Sequence, residues 1–194
     1  MISVLKARGF TLIYSAVSLA TFVMMVQAYK AVPDQASLWA VPPFLWIVGA
    51  VLMWLASVLL AGSLRKNPAM LGMGGGHEPV AIGAPSGVFR ITRHPMMWAF
   101  AIWAIVHIAV IARPANIVLA VAILSLALIG AAGQDRKKAP QLGESWTGWQ
   151  AATSFVPFGR DVALPDTFAL AVGTAVFLLA TWLHPIPVGV WRWL

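Results

Sequence analysis

The chain has no cysteine in its 194 residues, which excludes disulfides, thiolate metal sites and cysteine nucleophiles together. Charge is scarce as well. Only 10% of the residues are Asp, Glu, Lys or Arg, against about a quarter in an ordinary soluble domain. Ser15, Ser18, Ser57 and Ser125 lie in apolar stretches with no histidine near them in sequence, so no nucleophile and base pair can be assembled from the pattern. No internal repeat is present. The glycine-rich run Gly72-Met73-Gly74-Gly75-Gly76 lacks the spacing of a phosphate loop and follows no strand, so it reads as a linker together with His77.

What remains is apolar. Hydrophobic residues make up 60% of the chain and the mean hydropathy is +0.84, the composition of an integral membrane protein. The apolar residues fall in five blocks, Phe10 to Tyr29, Val41 to Ser63, Pro95 to Ala112, Ala115 to Gly133 and Thr167 to Leu183. Each is near the roughly 17–25 residues that cross a hydrocarbon core about 30 Å thick. These predict an all-α, multipass transmembrane helical bundle of about five spans, forming one domain over residues 1–194. The first block is too long for a signal-peptide core and ends without a small-residue cleavage site, so it is expected to stay in the mature protein.

Alternating spans put ten basic residues on one side, including Arg65, Lys66, Arg90, Arg93, Arg136, Lys137 and Lys138, and leave Lys30, Arg113 and Arg192 on the other. That asymmetry predicts a cytoplasmic N-terminus and an inner-membrane location. The net charge of +7 then reflects basic loops facing anionic lipid, and no nucleic-acid motif accompanies it. Two loops are expected on the basic side, Leu64 to His94 and Gln134 to Pro165. The second contains Leu142, Trp146 and Trp149 at helical spacing, which predicts a short helix lying among the headgroups. The Ser154-Phe155-Val156-Pro157-Phe158 segment that follows is expected to fold back toward Arg93 and His94.

Those two residues sit in the most informative segment, Gly87-Val88-Phe89-Arg90-Ile91-Thr92-Arg93-His94-Pro95-Met96-Met97-Trp98. Polar groups where a chain enters lipid cost several kcal/mol unless satisfied, roughly 2–7 kcal/mol for an unbonded amide or hydroxyl. With Ile105-Val106-His107, Thr153-Ser154-Phe155-Val156-Pro157-Phe158 and Leu183-His184-Pro185, this segment resembles the NnrU family of bacterial membrane proteins over most of the chain. The resemblance implies a role in nitrite and nitric oxide reduction during denitrification. It also reaches the plant and cyanobacterial 15-cis-zeta-carotene isomerases, which implies haem b as a cofactor. Family members usually begin with a further apolar helix carrying a histidine, and this chain begins at what resembles the following basic segment, Lys6 to Gly9.

On this reading Arg93 binds a carboxylate or a haem propionate as a bidentate donor, and His94 is a metal ligand or proton carrier. His94 and His107 are about 20 Å apart along one helix and cannot share an iron. His107 and His184, in contrast, fall at similar depth on neighbouring helices and form a candidate pair of axial ligands. Interface anchoring or an interhelical hydrogen bond is the alternative for each histidine. Two other functions stay open. One is an S-adenosylmethionine-dependent membrane methyltransferase, whose Arg-His-Pro segment is similar, although Met96-Met97-Trp98-Ala99 replaces the tyrosine and glycine favoured there and the acidic partners are reduced to Asp135 and Glu144. The other is a non-enzymatic assembly factor packed against respiratory reductase subunits.

Overall fold

The computed structural model describes residues 7–65, 67–68 and 82–194; the glycine run, His77, Lys6 and Lys66 lie outside them. Among the described residues the chain is all-helical, with seven α-helices and no strand. They are α1 (Ala7–Lys30), α2 (Pro43–Ser63), α3 (Val88–Ile91), α4 (Pro95–Val110), α5 (Pro114–Leu142), α6 (Glu144–Ala152) and α7 (Thr167–Trp182), followed by a 3₁₀ turn at Gly189–Arg192. The five longest each overlap one of the five apolar blocks. Leu12–Lys30 within α1, α2 and α5 are long and apolar enough to cross a membrane, while α4 and α7 are shorter apolar helices.

Proline sets three of the starts. Pro43, Pro95 and Pro114 each open a helix, where the missing N–H removes nothing from the ladder. Asp166 caps α7, its carboxylate accepting from Ala169 N–H at 2.8 Å. Helix α2 packs on both α4 and α7, and α4 packs on α5. Close approach between α2 and α7 depends on Gly173, whose Cα faces the backbone of Val58 with no room for a Cβ. Helix α1 is exposed along nearly its whole length, with Leu12, Tyr14, Phe22 and Met24 turned outward. Outward apolar side chains on such a helix are what lipid requires.

The short link between α4 and α5 is closed by Asn116. Its buried amide donates to the carbonyls of His107 at 2.8 Å and Ile111 at 2.9 Å, satisfying backbone oxygens that end α4.

Two expectations for the basic side are corrected. Residues Gln134 to Leu142 are not loop, because α5 continues through the charged run Asp135-Arg136-Lys137-Lys138 and passes Pro140 before stopping at Gly143, whose φ is +53°. Residues with long side chains are good helix formers, so loss of hydrophobicity ends the apolar block without ending the helix. The short helix α6 exists, but its indoles do not lie among headgroups. Trp146 is fully buried and Trp149 nearly so, packed with Val58, Leu59, Val88 and Phe89 in the core at this end of the bundle. Phe89 and Trp149 meet edge to face with centroids 5.8 Å apart.

Candidate functional site

Two places concentrate polar chemistry, one at each end of α4. At its N-terminus, Arg93 donates to Asp135 Oδ2 through both Nε at 2.9 Å and Nη2 at 2.7 Å, an ion pair with both side chains largely buried. The His94 ring, fully buried, has Nε2 at 2.9 Å from the other carboxylate oxygen of Asp135 and Nδ1 at 3.1 Å from the Gln134 amide. Both ring nitrogens are therefore engaged within the protein. The Arg93 guanidinium and the His94 ring each lie 5.3 Å from the Phe155 ring, measured to centroids.

The Ser154–Phe158 segment is clasped onto this cluster as expected. Arg93 N–H donates to Ser154 O at 2.8 Å, Thr92 Oγ1 and Trp98 Nε1 each donate to Phe155 O at 2.7 Å, and Phe158 N–H donates to Ile91 O at 2.8 Å. Asp135 and Gln134 hold the cluster together; the sequence marks Asp135 only as an acidic residue for the methyltransferase alternative and gives Gln134 no role. Their available signal was position. They form the polar pair at the end of the fourth apolar block, on the same side as Arg93.

Burial pushes the His94 imidazole below its ordinary value, while Asp135 pulls the other way with a charge it already shares with Arg93. A neutral ring donates from Nε2 to Asp135 and accepts at Nδ1 from the Gln134 NH₂, whereas a protonated ring requires the Gln134 oxygen there. With the folded value below the unfolded one, the unfolded chain binds more protons, so stability falls as pH drops below about 6.5. The expected outcome is a melting temperature that decreases on acidification from pH 7 to pH 5 in the wild type and decreases less in His94→Gln, followed by scanning fluorimetry in detergent.

The second place is a cavity of ≈ 340 Å³ bounded by α2, α4, α7 and the chain that follows α7. Trp46, Phe100, Trp103 and Phe177 supply aromatic wall, and both His107 and His184 line it. The structure thus brings together the two histidines that the sequence placed at similar depth, and keeps His94 apart from them. His107 stacks on Trp103 with centroids 3.9 Å apart, and its Nδ1–H donates to Trp103 O at 2.8 Å. That bond fixes the tautomer with the lone pair on Nε2, which makes no hydrogen bond among the described residues. Nδ1 of His184 is buried and likewise lacks a partner among them. No group of three or more His, Asp or Glu able to hold a metal occurs among the described residues.

The sequence matches the model of the NnrU protein family over residues 1–192. The chain belongs to the NnrU family. Among curated proteins this NnrU chain is similar to the chloroplastic 15-cis-zeta-carotene isomerase of Arabidopsis thaliana, 30% identical over 116 residues, which cover 54% of this chain and 31% of the relative. The Zea mays protein of the same name is 34% identical over 73 residues, covering 38% of this chain and 20% of the relative. The NnrU chain therefore spans a third or less of the length of the curated relatives it matches. No solved structure matches it.

Proposed function

We propose that the cavity between α2, α4 and α7 is the ligand site of this NnrU protein, that it holds haem b through His107 and His184, and that the protein supports nitrite and nitric oxide reduction in a bacterial inner membrane. The observation that carries the reading is His107, an imidazole inside the membrane bundle whose Nδ1–H is tied to a backbone carbonyl and whose Nε2 is left without a partner on a cavity wall. A buried ligand histidine is ordinarily oriented by such a bond from its second nitrogen. The buried, unpartnered Nδ1 of His184 on the same cavity is a second polar atom that a bound metal or donor would satisfy. The volume lies within the range of about 300–1,000 Å³ usual for small-molecule and cofactor sites.

The haem would supply electron transfer and affinity for small nitrogen oxides, while the protein would supply the His107 and His184 imidazoles, aromatic walls and exclusion of water. The cytoplasmic placement of the N-terminus, by the bias of basic residues, puts the His94 cluster on the cytoplasmic side and the cavity toward the other. Arg93 and Asp135, the groups that an S-adenosylmethionine amino-acid moiety would use, bind each other, which weighs against the methyltransferase alternative. An assembly role beside respiratory reductase subunits is compatible with the exposed apolar face of α1.

The test is the visible spectrum of detergent-purified protein made under haem-replete conditions, oxidised and then dithionite-reduced, with a pyridine haemochrome assay. One haem per chain is expected, lost in His107→Ala and retained in His94→Ala. A folded, haem-replete wild type without a Soret band would overturn the reading and leave the assembly role.

A further inference from the structure

A cation without a carboxylate partner among the described residues stacks on one wall residue of this cavity. The Arg192 guanidinium carbon stands 4.0 Å from the centroid of the Trp46 ring, and Trp46 is part of the cavity wall. Arg90, Arg93 and Arg113 are each paired with an aspartate, whereas Arg192, like Arg65, Arg136 and Arg160, has no carboxylate partner among the described residues; of these four, Arg192 is the one stacked on a residue of the cavity wall. Its location is well defined by its neighbours. The 3₁₀ turn that ends in Arg192 begins at Gly189, with φ +60°, where a Cβ would come within 3.0 Å of Thr181 and 3.1 Å of Phe177. Trp191 Nε1 donates to Thr181 Oγ1 at 3.0 Å, which holds the turn on α7. Ile186, Val188 and Gly189 from the same segment line the cavity.

The wall inside is almost wholly apolar, and the guanidinium on Trp46 is a planar donor fork already stacked on an aromatic face. Stacking leaves the edge N–H groups of a guanidinium free to bond an anion in the plane of the fork. We infer that Arg192 is the anion-binding residue of this cavity, pairing with a carboxylate of a ligand whose apolar body lies between α2, α4 and α7. This deepens the haem reading and rests on it: the carboxylate is then a propionate, and the anchor is Arg192, stacked on Trp46 of the cavity wall, instead of Arg93, which is already paired with Asp135.

The experiment compares haem with haem dimethyl ester, in which the carboxylates are blocked, binding to the purified full-length chain and read by Soret titration. Wild type should bind haem about tenfold more tightly than the ester, the size of one charge-assisted hydrogen bond. Arg192→Gln should bring the two affinities together by weakening haem alone, and Arg192→Lys should restore part of the difference. Equal wild-type affinities, which need no variant, overturn the role of Arg192 while leaving the haem site intact. A preference for haem that Arg192→Gln does not change also overturns it, and points to a guanidinium that serves lipid phosphate. Failure of folded wild type to bind either porphyrin overturns the haem reading and this inference together.

Discussion

Asp135→Asn should cost about 3–5 kcal/mol of stability, the usual result of removing one partner from a buried ion pair. Asp135 is the shared acceptor of Arg93 and His94, and none of the three side chains is more than 14% exposed. Asparagine keeps the shape and removes the charge, so the Arg93 guanidinium would remain buried without an anion. The loss should appear as a lower melting temperature and a smaller fraction recovered as folded protein after detergent extraction. Asp161→Asn is the matched control. It removes the partner of Arg90 where both side chains are about half exposed, and pairs of that kind contribute about 0–1 kcal/mol. Equal losses in the two variants would show that the Arg93–Asp135 pair holds nothing that water does not replace.

Gly173→Val should separate α2 from α7 and damage the fold and the cavity together. A Cβ at residue 173 falls on the backbone of Val58, which unlike a side-chain tip has no rotamer through which to retreat. Overpacking a close contact costs typically about 1–3 kcal/mol, and backbone displacement puts this site at the upper end or beyond. Ser57 and Phe177, neighbours of the contact on either helix, both line the cavity, so ligand retention should fall in whatever fraction remains folded. In Gly148→Ala the added Cβ meets nothing within 4 Å, and a gain of about 0.5–1 kcal/mol is expected from the helix preference of alanine. Thermal melts of the two variants beside wild type check both statements, and similar melts for Gly173→Val and wild type would refute the close-contact argument.

The helices were legible because lipid imposes a simple code. A run of apolar residues of the right length, opened by proline, specifies a helix almost without regard to its neighbours, and all five blocks formed helices. The code fails where it stops being about lipid. Gln134 to Leu142 is polar, and polarity alone cannot distinguish a loop from a helix that has left the hydrocarbon. The destination of Trp146 and Trp149 was hidden for a related reason. Indoles suit both an interface and a core, and only the packing of α6 against Phe89 decides between them. Arg93 and His94 stood out as polar groups at a membrane entry, whereas Asp135 is 42 residues from Arg93 in sequence and becomes its partner only when α4 and α5 lie side by side. The histidine pair could be anticipated from depth along two helices. The placement of Arg192 could not, since its meaning lies in the ring beneath it.

The brevity of α4 and α7 has a consequence for the membrane itself. Each has 16 residues and, at about 1.5 Å per residue, is about 24 Å long, several ångströms less than an average hydrocarbon core. Neighbouring α2, with 21 residues, is long enough to span. A bilayer meets such hydrophobic mismatch by thinning beside the short helices or by drawing their polar ends beneath the headgroups. The ends in question carry His94 on one side and the residues around His184 on the other. Either response would fall beside the same two helices that frame the cavity, so reconstitution into bilayers of graded thickness should change the stability of the cavity walls before that of α2.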